Sequence, residues 1–460
     1  MTDVLFIVPP TPLPISTIFL RAISEYTPLG IGYIDSLLTK NGFKTSIKNY
    51  YLGVPNKAEL ENTLKDIKPK VVALTAMTEM FNNAYKIAKI CKEILSKVTI
   101  VIGGPHVTFL DTKILEEYEC IDIIVRNEGE LTFLELMQNL INNNISLSNI
   151  QGITYRNGNA IIRNPPRALI NNLDTLPFPN RYTNEESFSK HEKTIGIISS
   201  RGCPGRCIFC SAAAMSGGAY RKRSPENVIE EIESLAMKGN KRFFFMDDTI
   251  TADVVRFEKI CNLLKKLNLT WTCESRVDVI SENEELPTLM YNAGCRSVQF
   301  GVETGSPEVL ENINKGIQLD QIEKAIQYTR KTGIDVVCSI MIGHYCDTLD
   351  TSEQTLRFGE YLMKKYIVAV IYSITTPYPG TAIFKNPDKF GIKIQSENFN
   401  HYYAMNPIID TKNLSRRQIR NLFFDGMMSA TRNMPSTWKN YYMAEINKSL
   451  QYLNEKINSG

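Results

Sequence analysis

The sequence predicts an α/β protein built of two successive units. The first, over residues 1–144, is an open, doubly wound parallel sheet. The second, over 193–385, is a partial (β/α)6 barrel, and a small helical region follows at 386–460. Three observations predict this. Short apolar runs alternate with helical periodicity through the first third of the chain. A second alternating βα series begins near residue 193. Between the two, residues 145–192 change character and read as a linker with a small hairpin. The chain has 460 residues, 43% of them hydrophobic, so a large core is easily supplied. At roughly 100–200 residues per domain, two or three domains are expected.

In the first unit, residues 4–8, 45–47, 71–75, 99–102 and 121–125 read as buried strands. Between them lie amphipathic stretches such as 81–97, where Ala84, Ile87, Ala88, Cys91, Ile94 and Leu95 share one helical face. An open sheet of this kind binds ligands at the carboxyl ends of its strands. Those ends carry Pro9-Pro10, Thr75-Ala76-Met77, Gly103-Gly104-Pro105-His106 and Asn127-Glu128-Gly129-Glu130. Residues 152–162 then form a hairpin on an Asn157-Gly158 turn, and 173–179 a proline-punctuated connector.

The second series offers strands at 195–199, 242–246, 270–274, 297–302, 335–341 and 367–373. Alternating βα units mean a parallel sheet or barrel. Six are fewer than the eight of a closed barrel, so an open, TIM-like partial barrel is expected. The tail, with Tyr402-Tyr403 and Tyr441-Tyr442, reads as a capping bundle whose aromatics could instead line a pocket.

Composition narrows the function classes. A formal net charge of +3 is too mild to argue for nucleic acid. The Arg221-Lys222-Arg223 triplet reads as a solvated approach to a helix rather than a site for an anionic substrate. The N-terminus has no basic region before its first apolar run and reads as a strand rather than a signal peptide. No run approaches the ~18 apolar residues a membrane span needs. Seven of the ten cysteines are scattered singly, several inside apolar strands. A disulfide framework is therefore not expected, and a reducing cytoplasm is.

The other three cysteines carry the chemistry. Cys203, Cys207 and Cys210 lie in the run Ser200-Arg201-Gly202-Cys203-Pro204-Gly205-Arg206-Cys207-Ile208-Phe209-Cys210, directly after the first barrel strand. That is the face at which βα-barrel chemistry sits. Three thiolates on one short loop suit three corners of a 4Fe-4S cube and leave one iron open. A structural zinc site would want a fourth ligand at similar spacing, and no second pair follows.

These residues resemble the cobalamin-dependent radical S-adenosylmethionine (SAM) enzymes, over most of residues 1–385. The cysteine motif is the most specific part of the likeness, and further segments follow in the family's order. Asp247 and Asp248 fall where the resemblance implies contact with the SAM amino group, Arg276 follows the third strand, and Gly301 and Glu303 fall where it implies the SAM ribose. Phe209 is the aromatic before the third cysteine, and Asn314-Lys315-Gly316 and the loop 376–381 match later motifs. Each has a plainer reading: Asp247 and Asp248 as helix caps, Arg276 as a structural ion pair, Lys315 as solvated surface.

The first unit is similar to the family's Rossmann-like cobalamin-binding domain through residues 27–33, Gly103, Gly104, Pro105, His106, Glu128, Gly129 and Glu130. It lacks the DxHxxG loop that offers a histidine to cobalt. The histidines are His106, His191, His344 and His401. No histidine is expected below the metal, and residues 75–81, with Thr75 and Met77, are the candidates to cover its lower face. One departure stands out. Where the family has a glycine-proline-glycine-glutamate type of turn after the fifth strand, this chain reads Gly343-His344-Tyr345-Cys346-Asp347.

The resemblance implies a methyltransferase acting on an unactivated carbon of a small molecule. A 4Fe-4S cluster, SAM and cobalamin would be its cofactors, and a flavodoxin- or ferredoxin-like protein its electron donor. A cobalamin-dependent cyclisation or rearrangement is the alternative, and a non-catalytic sensor the third reading. No residue is singled out as catalytic in the substrate step.

Overall fold

The computed structural model describes residues 2–12, 28–50, 53–142, 146–181 and 194–433. They divide into two compact units. One takes the described residues through Asn171, residues 175–181 and Asn398–Asn400, and the other takes Asn172–Asp174, 194–397 and 401–433. Among the described residues no helix is long and apolar enough to cross a membrane.

The first unit is a seven-stranded sheet: β1 (Val4–Val8), β2 (Thr45–Asn49), β3 (Val71–Thr75), β4 (Thr99–Gly103), β5 (Ile123–Val125), β6 (Ile153–Asn157) and β7 (Ala160–Arg163). Its order is β2-β1-β3-β4-β5-β6-β7. The first five strands run parallel, and β6 and β7 close the edge antiparallel. Apolar strands are needed because both faces are covered. Leu5, Ile7, Val72, Leu74, Ile100 and Ile102 pack on one side with Phe81, Ala84, Ile87, Ala88 and Cys91. Val4, Phe6, Ala73, Val101 and Ile123 pack on the other with Leu38, Phe133, Leu136 and Met137. The order reverses between β1 and β3, so the crevice of a doubly wound sheet lies at their carboxyl ends.

The hairpin is not a free-standing part of a linker. It extends the sheet, with Ile123 opposite Tyr155 and Val125 opposite Ile153. It also locks to the helices through a polar set that is buried except for the half-exposed Arg163. The Arg126 guanidinium donates to the carbonyls of Ile153 and Asn164, and Thr154 Oγ1 and Arg163 Nε donate to Asp111 Oδ2 at 2.6 and 2.7 Å.

The second unit contains β8 (Thr194–Ile197), the ribbon β9 (Ser200–Arg201) with β10 (Arg221–Lys222), then β11 (Arg242–Phe245), β12 (Thr270–Ser275), β13 (Cys295–Glu303), β14 (Asp335–Ile342) and β15 (Ala369–Ile374). Strands β8 and β11–β15 form one all-parallel sheet in sequence order. Right-handed crossovers in one direction place the helices on one face, and the sheet curls as an open partial barrel. The strands alternate accordingly. In β12, Trp271, Cys273 and Ser275 are buried toward the helices, while Thr270, Thr272 and Glu274 remain partly open on the inner face.

The tail departs from a helical bundle. It begins with a two-stranded ribbon, Lys393–Ile394 with Ile409–Asp410, and only then forms the helix Arg416–Asn433. That helix buries Ile419, Leu422, Phe423 and Met427. Tyr402 and Tyr403 are buried packing residues rather than pocket lining. Tyr441 and Tyr442 lie outside the described residues, as does His191.

Candidate functional site

The cysteine loop leaves β9 at Gly202, whose φ of +88° favours glycine. A Cβ there would collide with the Ala219 carbonyl oxygen. The Gly202 N–H donates to Asp248 Oδ2 at 2.9 Å, which ties the loop to the end of β11. Backbone bonds then seat it: Ile208 N to Ile313 O at 3.2 Å, Ala382 N to Ile208 O at 3.1 Å, and Cys210 N to Cys207 O at 3.2 Å. Cys210 caps the short helix Ser211–Ser216. Burial pushes its thiol up, and the N–H groups of Ala213 and Ala212 work against that by favouring the thiolate. Burial likewise raises Cys207, and the nearby Lys315 ammonium opposes it.

A cube spreads its three thiolate ligands over separate irons. The three thiols are free. Among the described residues, no three His, Cys, Asp or Glu side chains are gathered closely enough to hold a single metal ion. A short, glycine-shaped loop with three free thiols fits a cluster at Cys203, Cys207 and Cys210.

Beside the loop, the ends of β11, β12 and β13 bring acids and bases together. Asp247 is buried, and its carboxylate accepts from Ser199 N at 2.7 Å and from the Ser199 and Ser200 hydroxyls at 2.5 Å each. It pins the end of β8. Asp248, bonded to Gly202, is exposed just past the carboxyl end of β11. Glu274 lies on the inner face of β12. Burial and the carboxylates of Asp248 and Glu303 push it up to about 7, against the pull of Lys315.

Glu303 has φ +65°, at a register shift in the β13–β14 ladder. Its carboxylate meets Lys315 Nζ at 2.5 Å, both side chains being about nine-tenths buried (9% and 10% exposed). Gly301 makes room for this pair, because a Cβ there would lie 2.6 Å from both Glu303 Oε1 and Lys315 Nζ. Lys315 is thus buried rather than solvated surface. Arg276 Nε and Nη2 are forked on Asp278 at 2.8–3.1 Å, and Nη2 also donates to Lys315 O at 3.2 Å. Glu274 lies within electrostatic reach of Asp248, Glu303 and Lys315, and a cationic ligand arriving there would favour its charged form.

The unusual turn after β14 is built locally. Asp347 Oδ2 accepts from Gly343 N at 3.1 Å and His344 N at 2.8 Å, and its Oδ1 accepts from Thr351 Oγ1 at 3.0 Å. His344 is buried, with Nδ1 3.3 Å from Thr375 Oγ1 and its ring 5.5 Å from that of Phe209. Burial, helped by Lys315, lowers it to about 3 and keeps it neutral. Within the basic triplet, Lys222 pairs with Asp253 at the surface, as a solvated approach would, whereas Arg223 departs from that reading and is buried against Glu231 at 2.5 Å.

In the first unit the strand-end loops of β3 and β4 are zipped together. Ala76 N donates to Gly103 O at 2.9 Å, and a Cβ on Gly104 (φ +111°) would lie 2.6 Å from Ala76 O. Thr75, Gly103, Gly104 and Pro105 are partly exposed, and Met77 is 48% exposed. The other expected residues are engaged in the fold. Glu128 accepts from Ile170 N at 2.8 Å, Gly129 clears Ile34, and Glu130 is buried. Gly32 admits the connector, with Asn180 N donating to its carbonyl at 3.0 Å.

His106 differs from its expected place in an open glycine loop. It is fully buried between Phe81 and Phe399, with ring centroids 4.6 and 4.4 Å away, and burial lowers it to about 3. It is a packing residue. What remains open is an apolar ledge, Met77 with Gly103–Pro105, which presents no histidine. Its open, apolar surface at the ends of β3 and β4 would suit a flat apolar ligand. Sequence reasoning misses Glu274, although the alternation of β12 places it on the face opposite Trp271 and Cys273.

Comparisons with known proteins agree with both halves. Residues 197–359 match the radical SAM superfamily model, and residues 15–137 match the B12 binding domain. An uncharacterized methyltransferase of Pyrococcus horikoshii is 33% identical over 424 residues, covering 91% of this chain and 90% of its own. The anaerobic magnesium-protoporphyrin IX monomethyl ester cyclase of Rubrivivax gelatinosus is 27% identical over 411 residues, covering 86% and 72%. Among solved structures, the radical SAM methyltransferase TsrM of Kitasatospora setae, with tryptophan and a SAM analogue bound, has a TM-score of 0.74 at 15% identity. It covers 99% of this chain and 100% of its own.

Proposed function

The chain belongs to the cobalamin-dependent radical SAM methyltransferases, and from that footing we propose how its own residues serve the reaction. Cys203, Cys207 and Cys210 hold a 4Fe-4S cluster. The carboxylates of Asp248, Glu274 and Glu303 receive SAM, with Lys315 fixing Glu303 and Gly301 leaving room for both. Phe209 and His344 form an aromatic wall beside the loop. Met77 and the Gly103–Pro105 ledge carry cobalamin. Bound there, these groups supply one-electron cleavage of SAM, removal of a hydrogen atom from an unactivated carbon, and a methyl group for that carbon.

The observation that carries this reading is the glycine-shaped cysteine loop bonded directly to Asp248, beside a buried carboxylate–ammonium group. Asp247 acts through position, holding the end of β8 beneath the loop. A small molecule is the substrate, a flavodoxin- or ferredoxin-like protein the electron donor, and the cytoplasm the compartment. Nucleic acid is not a partner.

The test is mass analysis of the product formed by anaerobically reconstituted protein. A gain of one methylene unit supports the reading. Similarity to the cyclase favours a second reading, in which a ring closes without methyl transfer. A product without that gain, formed with SAM cleavage, would replace the first reading by the second.

A further inference from the structure

Gly205 and Arg276 form an arrangement that ligand binding alone does not explain. The point a Gly205 Cβ would occupy is 3.1 Å from Arg276 Nη1, 3.3 Å from Cys203 Sγ and 3.9 Å from Cys207 Sγ. The absence of a side chain therefore lets the guanidinium come in beside two of the three thiols. Its direction is fixed from behind: Nε and Nη2 are held by Asp278, and Nη2 also by Lys315 O. Nη1 is the remaining nitrogen, and it lies on the thiol side. Gly205 N–H also donates to Cys203 Sγ at 3.4 Å, on the side of the loop where Nη1 lies. Arg276 is only 15% exposed in its side chain, so solvent screens its charge weakly.

We propose that Arg276 is a positioning residue that sets the reduction potential of the cluster, and that Gly205 is the opening through which it acts. This rests on the reading of Cys203, Cys207 and Cys210 as cluster ligands. Reduction adds one electron from an external donor to the cluster, making it more negative. A fixed positive charge and hydrogen bonds to sulfur favour the reduced form and raise the potential.

The experiment is an anaerobic redox titration of the reconstituted full chain without SAM, followed by electron paramagnetic resonance, with iron counted in every sample. Arg276→Gln is expected to keep its iron and shift the midpoint to lower potential. Arg276→Lys, which keeps the charge, stays nearer the parent. Gly205→Ala keeps the arginine but displaces its flexible end, and shifts the midpoint in the same direction by less. A full iron complement with an unchanged midpoint in both Arg276→Gln and Gly205→Ala would overturn the inference. If Arg276→Gln fails to hold iron, Gly205→Ala alone decides by the same criterion. Absence of iron from the unaltered protein would instead overturn the underlying cluster reading.

Discussion

At the scale of single residues, the buried Glu303–Lys315 pair concentrates the risk. Removing one partner of a buried ion pair leaves the other charge uncompensated, at about 3–5 kcal/mol. Lys315→Met should lower the melting temperature and weaken SAM binding, and Glu303→Gln combined with it should recover much of the stability but not the binding. Equal stability of Lys315→Met and the parent in thermal melts would refute this. Glu274 has the opposite character. Its folded pKa is raised from 4.5 to about 7, so the stability tied to its proton is full below 4.5 and is lost as pH rises through 7. Above pH 7 the charged form costs at most on the order of 3 kcal/mol. Ligand-free Glu274→Gln should therefore melt higher than the parent at pH 8 and match it near pH 4.5. A constant difference across that range would assign the effect to packing instead. The cysteines are legible from spacing alone. Glu274 is not, because one acid in a strand gives no signal until its neighbours on adjacent strands are known.

At the scale of elements, the cysteine loop depends on Gly202 more than on any single hydrogen bond. A side chain there meets both an unfavourable φ and the Ala219 carbonyl. Gly202→Val should abolish iron binding while the rest of the barrel stays folded, as read by iron content beside far-ultraviolet circular dichroism. Retained iron would show that the loop can relax. The turn after β14 is a different case. Its departure from the family pattern is visible in the sequence, but its construction is not. Asp347 replaces sequence identity with hydrogen bonds to two backbone N–H groups. His106 misleads for a related reason: a histidine after two glycines looks available, and only packing reveals Phe81 and Phe399 around it. The hairpin at β6 and β7 is legible as a hairpin, but long-range pairing with β5 leaves no local trace.

At the scale of the whole molecule, the strand orders separate two kinds of site. The first sheet reverses direction between β1 and β3 and so opens a crevice, while the second runs in sequence and so curls. Each unit has its own core and its own strand-end residues, and the two should load independently. The triple change of Cys203, Cys207 and Cys210 to Ala should remove iron and SAM cleavage but leave cobalt near one per chain after anaerobic loading with cobalamin. Gly104→Val should do the reverse, because its Cβ would press on Ala76 and part the zipped loops of β3 and β4. It should lose cobalt, keep about four irons, and still cleave SAM without methylating. Metal analysis on the same samples reads both outcomes. Loss of both metals from either variant would mean that the units fold or load as one, and the division of labour drawn from their topology would fail.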